Sequence, residues 1–124
     1  MPKIGMTFTN ETVVTLSNCA VTMESGDLEV FATPAMVSLM ENAAMNAVAL
    51  VLPQGSTTVG AEMNTTHIKP SAIGTRVRAT ATLTAVEGRK LTFAVEACDE
   101  QGIIGKGVHV RFVVDKERFM AKLG

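Results

Sequence analysis

Apolar side chains run almost unbroken from Ala35 to Leu52, and only Ser38, Glu41, Asn42 and Asn46 interrupt them. They fall on every side of a helical wheel, and a helix without a solvated face is buried in protein or in a bilayer. Thr33 predicts the N-cap and Pro34 the first helical position, where a missing N–H does no harm. Pro53 and Gly55 stop the run. The expected helix, Thr33 to Leu52, is roughly 30 Å long at 1.5 Å per residue. Ser38, Asn42 and Asn46 form one i, i+4 polar stripe, and Glu41 is the only charge between Phe31 and Ala61.

Elsewhere the pattern has a period of two, which predicts strands. Thr12 to Asn18, rich in Val and Thr, reads as the first, and the acidic stretch TMESGDLEV (22–30) as a loop into the helix. Thr57 to Ile68 sets Val59, Ala61, Met63, Thr65 and His67 on the helix side and Gly60, Glu62, Asn64 and Thr66 on the other. Thr75 to Val86 turns Val77, Ala79, Ala81, Leu83 and Ala85 inward. After a tight turn at Glu87-Gly88-Arg89, Lys90 to Cys98 does the same with Leu91, Phe93, Val95 and Ala97. In Ile104 to Val114 the alternation places Val108, Val110, Phe112 and Val114 inward, leaving His109 and Arg111 outward and solvated. The charged tail DKERFMAKLG is expected to form about one helical turn. A meander with one apolar face needs a cover, and the apolar helix is the only long element available. The expected class is α+β, an antiparallel sheet curled around one central helix.

The chain of 124 residues is expected to be one domain, 1–124, too small to surround such a helix without a partner subunit. A formal net charge of −1 with no block of like charges argues against nucleic acid and anionic membrane as partners. Two cysteines, Cys19 and Cys98, are too few for a disulfide framework and fit a reducing compartment. The start, MPKIGMTFTN, lacks the apolar core of a signal peptide. The polar residues of the helix and its lack of flanking aromatic or basic anchors argue against a membrane span. These features predict a cytoplasmic protein.

An ionised carboxylate inside so much hydrocarbon is expensive unless it is paired or shifted in pKa. Glu41 is thus either a paired structural carboxylate or a general base or nucleophile. His67 is either a core histidine bonded to backbone or a group that stabilises an oxyanion. Thr33 serves as a cap, and its hydroxyl proton stays available for chemistry. Thr33 and Glu41 lie about 12 Å apart along a straight helix. A shared reaction centre therefore needs a substrate between them or two subunits, and an interfacial site is the preferred arrangement. Gly60 marks a close backbone approach or a bulge, and its N–H is a possible donor to a substrate carbonyl. Metal-ligand spacing, a phosphate-cradling glycine loop, G-x-S-x-G and a reactive Cys–His pairing are all absent from the sequence. No cofactor is expected.

Four segments, VFATPAMVSLMENA, TTVGAEMNTTHIKPSAIGTRV, VEGRKLTFAVEACDE and GKGVHVRFVV, resemble the fluoroacetyl-CoA thioesterase-like family of hotdog-fold enzymes. The likeness runs from about Val30 to the C-terminus. It implies a hotdog fold and hydrolysis of a small acyl-CoA to acid and CoA by a homodimer or a higher oligomer. It further implies Thr33, Glu41 and His67 as the catalytic group. Members selective for a fluorinated acyl group carry bulky apolar side chains in the loop before the helix. Here that loop reads MESGDLE, which implies a different small acyl group.

Two rivals stand beside this reading. A hotdog hydratase of the enoyl-CoA type normally uses an Asp–His pair, but the residues before His67 are Asn64, Thr65 and Thr66. A hotdog module that binds acyl-CoA without turnover would have no need of an acid at position 41.

Overall fold

The computed structural model describes residues 1–124. One antiparallel sheet is built from β1 (Thr7–Val13), β2 (Ser56–Thr65), β3 (Arg76–Glu87), β4 (Lys90–Asp99) and β5 (Gly102–Asp115), in the order β1-β3-β4-β5-β2. The helix α1 (Thr33–Ala49) lies in its concave face, and a short α2 (Lys116–Ala121) follows β5. This is the hotdog arrangement that the sequence led us to expect. Met36, Met40, Ala43, Ala44 and Val48 are buried at helical spacing. They pack on the inward rows of β3 and β4, Val77, Ala79, Ala81 and Leu83 with Leu91, Phe93, Val95 and Ala97. Burying each large side chain of this kind is worth about 1.5–3 kcal/mol. Gly88, at φ 63°, makes the two-residue turn between β3 and β4 that an L side chain would strain.

α1 ends earlier than its apolar run. Leu50 is the C-cap and is 99% exposed, because Pro53 blocks further helical hydrogen bonds. Nor is the helix buried all round: Pro34 and Ser38 are exposed, and Val37, Glu41 and Met45 only half-buried. One face therefore stays open in the single chain. No helix is long and apolar enough to cross a membrane.

The first strand lies earlier than expected. Phe8, Asn10 and Thr12 of β1 pair with the inward Ala81, Ala79 and Val77, and Asn10 donates to Asn42 of the helix stripe, so two polar residues interrupt the apolar alternation of its inner row. The Val/Thr stretch that suggested a strand instead turns back at Thr15, whose N–H bonds Asn18 Oδ1 at 2.9 Å.

The inward faces of β2 and β5 differ from expectation as well, and here the difference builds the site. Gly60 pairs with Arg111 but Glu62 with Val110, so Ala61 is the extra residue of a bulge. A bulge shifts the alternation by one residue. Thr58 and Gly60 face inward before it, Met63 and Thr65 after it, and the expected placing of Val59 and Ala61 is reversed. On β5, Phe93 pairs with His109 and Leu91 with Arg111, so these two polar residues share the inner face with the core of β4. His109 is 1% exposed and Arg111 6%, whereas Val108 is 48% and Phe112 38% exposed. The expectation of outward, solvated His109 and Arg111 is overturned: buried polar chemistry occupies the inward row, and valines occupy the outer one.

Candidate active site

The chain collects its candidate side chains in two groups along α1. The first stands at the helix N-terminus. Ala32, not Thr33, is the N-cap, and it offers no side-chain cap. Thr33 is therefore the first helical residue, and its hydroxyl lies 2.7 Å from His67 Nδ1 rather than on a helix N–H. The main chain there leaves the N–H groups of Thr33 and Ala35 without an acceptor, while Ala32 N–H bonds Asn18 O and Met36 N–H bonds Ala32 O. Thr33, His67, Val30, Phe31, Ile68 and Lys69 line a cleft of about 270 Å³.

His67 sits just past the end of β2, at the point where the chain leaves the sheet. Ile68 N–H still bonds Ile104 O at 2.7 Å, which fixes the segment against β5. Its ring is half-buried, and Nε2 is a buried atom with no hydrogen-bond partner in the chain. Burial lowers its pKa below the usual imidazole value, against a smaller opposing effect of the Lys69 backbone. A neutral ring with one nitrogen on a hydroxyl and the other unpartnered is suited to a reacting molecule.

The segment carrying His67 is braced from below. Asp99, 6% exposed, takes Lys69 Nζ at 2.6 Å, Ser71 Oγ at 3.0 Å and Gln101 N–H at 2.8 Å. Burial by itself raises its pKa, but these bonds outweigh it and hold the carboxyl below its ordinary value. Phe31 N–H bonds Ser71 O at 2.9 Å, so the same brace sets the entry to α1.

The second group lies two turns along α1. Glu41 is half-buried, and it forms no ion pair, since those of the chain are Lys69–Asp99 and Arg76–Glu11. It faces Gly60: a Cβ there would stand 3.0 Å from Glu41 Oε2, 3.3 Å from His109 Cε1 and 3.5 Å from Arg111 Nη1. Gly60 has no positive φ, so its value at this position is the room it leaves. Sequence reasoning had singled out Gly60 but placed it on the far face; the bulge at Ala61 turns it toward the carboxylate.

Arg111 and His109 were missed by sequence reasoning. Arg111 donates from Nε to Thr58 Oγ1 at 2.8 Å and from Nη2 to Thr58 O at 2.9 Å. Its Nη1 lies 3.2 Å from His109 Nε2, and His109 Nδ1 lies 2.7 Å from Glu62 O. A guanidinium only donates and a carbonyl only accepts, so His109 carries its proton on Nδ1 and is neutral. Burial lowers the pKa of both residues, and the charge of Glu41 partly restores each. The one available signal was parity: Gly105, Gly107, His109 and Arg111 alternate as consistently as the valines between them. Nowhere in the chain do three His, Cys, Asp or Glu side chains converge to hold a metal ion.

Comparison with known proteins agrees with this architecture. The sequence profile of the FlK family, fluoroacetyl-CoA-specific thioesterase, matches residues 14–117. A fluoroacetyl-CoA thioesterase from Streptantibioticus cattleyicolor is 43% identical over 95 residues, 77% of this chain and 68% of that protein. The crystal structure of FlK superposes with a TM-score of 0.93 at 36% identity, covering 99% of this chain and 96% of that one. A variant of FlK has been solved with fluoroacetate and CoA. A thioesterase superfamily member from Thermus thermophilus superposes with a TM-score of 0.90 at 30% identity, over 98% of this chain and 90% of that one. This chain belongs to the fluoroacetyl-CoA-specific thioesterase family of hotdog-fold proteins.

Proposed function

We propose that the protein is an acyl-CoA thioesterase that hydrolyses a small acyl-CoA to the free acid and CoA at a site shared between two protomers. The observation that carries this reading is the state of Glu41: a half-buried carboxylate without an ion pair, held over the open backbone at Gly60. A structural carboxylate would be tied to a cation. This one is left free to accept a proton from water or to attack a carbonyl.

Thr33 and Glu41 are eight residues apart on one unbroken helix, about 12 Å at 1.5 Å per residue. That is too far for a direct hydrogen bond, so one reaction centre needs either a substrate lying between them or residues from two protomers, and the second arrangement is the one proposed. A second copy supplies the missing half. The open face of α1, with Pro34, Val37, Glu41 and Met45, lies on the side of β2, a ten-residue strand at the free edge of the sheet. Exposed edges and apolar helix faces are what a homodimer covers. In that assembly Glu41 of one protomer works opposite Thr33 and His67 of the other.

The chemistry follows from the groups present. Thr33 donates its hydroxyl proton to His67 Nδ1, which puts the ring proton on Nε2. Glu41 takes a proton from water as the water oxygen attacks the thioester carbonyl, or itself attacks to give an anhydride that water then opens. The tetrahedral oxygen is stabilised by N–H donors: His67 Nε2 and the unpaired main-chain groups at the start of α1. Collapse breaks the carbon–sulfur bond, and the departing thiolate takes up the proton. The exposed acidic loop 22–30 supports an acyl group other than fluoroacetyl. Two free cysteines support work in the reducing cytoplasm.

The test is a thiol-release screen across short acyl-CoAs, with crotonyl-CoA included. Free CoA from at least one thioester is expected. Hydration of the crotonyl double bond without thiol release would replace the hydrolase by a hydratase, and tight binding without turnover would replace it by a sensor.

A further inference from the structure

We propose that His109 is a positioning residue that accepts an N–H of Arg111 and so keeps that guanidinium from closing onto Glu41, and this deepens the thioesterase reading and rests on it. Glu41 Oε2 and Arg111 Nη1 stand 3.0 and 3.5 Å from one point, the place a Cβ would take at Gly60. Opposite charges in one small space are expected to join, because a carboxylate is the strongest acceptor a guanidinium finds in a protein. These two do not join: the ion pairs of the chain are Lys69–Asp99 and Arg76–Glu11.

Arg111 gives its N–H groups to neutral acceptors instead. Nε donates to Thr58 Oγ1 at 2.8 Å and Nη2 to Thr58 O at 2.9 Å. That fork grips one edge of the planar group. Nη1, the Arg111 atom closest to the point over Gly60, is placed separately, by His109 Nε2 at 3.2 Å. The imidazole accepts there only because its proton is on Nδ1, 2.7 Å from Glu62 O. Glu62 is the first residue of β2 to pair after the bulge at Ala61. The irregularity that turns Gly60 inward is thus followed at once by the carbonyl that sets the tautomer of His109.

A guanidinium bonded to Glu41 would occupy the oxygen lone pairs that must take a proton from water or attack the carbonyl. Held by Thr58 and His109, it leaves those oxygens open. A buried N–H without an acceptor is costly. Loss of the acceptor at position 109 therefore sends Nη1 to the next one within reach, Glu41, and the base is quenched by its own neighbour.

The test compares the intact protein with H109L, H109F and H109Q. Leucine and phenylalanine offer no acceptor, and the phenyl ring keeps an aromatic partner for Phe93, whose centroid lies 6.4 Å from that of His109. Glutamine both accepts and donates, so it can serve Arg111 and Glu62 O together. Each variant is assayed well below its urea midpoint, on the acyl-CoA that the thiol-release screen finds cleaved fastest. In H109L and H109F kcat is expected to fall at least tenfold while KM stays within threefold of the parent, and H109Q is expected to keep most of the parent kcat. A loss in H109Q equal to that in H109L overturns the proposal, as does an unchanged kcat in the acceptor-free variants. Crystal structures give a readout independent of turnover. Arg111 Nη1 is expected within ion-pair distance of Glu41 in H109L or H109F, and outside it in the parent and H109Q. An Arg111 that stays apart from Glu41 without the acceptor overturns the proposal. A parent that cleaves no thioester, beside a variant that shows the new ion pair, upholds the role of His109 and removes the hydrolase reading instead.

Discussion

Thr33 Oγ1 lies 2.7 Å from His67 Nδ1, joining the first residue of α1 to the segment just past β2. The hydroxyl is thereby withdrawn from helix capping, a role the structure gives to the backbone of Ala32 alone. Loss of a capping threonine costs about 1 kcal/mol. Thr33→Val should leave stability within about 0.5 kcal/mol, the range of ordinary surface changes. Thiol release should fall tenfold or more. Thermal unfolding beside initial rates distinguishes the two roles, and a stability loss matching the rate loss would return Thr33 to the helix cap.

Gly60→Ala should fold, since the residue has no positive φ, but its methyl would crowd Glu41 Oε2 at 3.0 Å. Activity should drop by at least tenfold with little change in Tm. Gly105 and Gly107 behave differently. A Cβ at either meets backbone carbonyl oxygen of the facing segment, Thr66 O and Asn64 O. Backbone cannot step aside as a side chain can, so Gly107→Ala should destabilise the β2–β5 pairing itself, visible as a lowered urea midpoint.

Removing Lys69 leaves the Asp99 carboxylate buried with only Ser71 and Gln101 as donors. Lys69→Met should cost about 1–3 kcal/mol, as expected for an under-satisfied buried acceptor. Because the same brace positions His67 and the entry to α1, turnover should fall along with stability. Chemical denaturation of the variant, followed by rates well below its midpoint, checks both.

The pH dependence of stability should have two parts. His67 and His109 bind protons more weakly folded than unfolded. The unfolded chain therefore takes up more protons as pH drops below about 6.5, and stability falls from there through the folded values. Asp99 has a folded pKa below its unfolded one. Its contribution is present above about 3.9 and is lost as pH falls through the folded value. Urea midpoints between pH 8 and 3 should decline in the histidine range and again in the carboxylate range. In His109→Gln the first decline should shrink.

The helix, the core rows of β3 and β4 and the turn at Gly88 were legible because they obey one rule each: an apolar run, alternation, and a glycine between strands. β5 was misread because both of its rows look like cores. The valines at 108, 110 and 114 outweigh two glycines, a histidine and an arginine on any hydropathy scale, and only the pairing with Phe93 and Leu91 reveals which row faces in. β2 was half-read because a bulge carries no apolar signature; Ala61 shifts the phase without altering composition. Thr33, Glu41, His67 and Gly60 were found as residue types out of place in an oily helix or a strand. The buried Arg111–His109 pair was hidden by the wrong choice of row. β1 was missed because Asn10 and Thr12 interrupt its inner row between Phe8 and Val14, with Asn10 bonded to Asn42 rather than packed as hydrocarbon.

The most direct measurement is the turnover of Glu41→Gln, which keeps the shape and removes the ionisable group. Glu41 is half-buried and free of ion pairs, so the variant should fold with nearly the parent Tm. Its thiol release should fall at least about a hundredfold, the lower range for loss of a general base. Parent-like hydrolysis of every acyl-CoA cleaved by the unmodified protein would contradict the account.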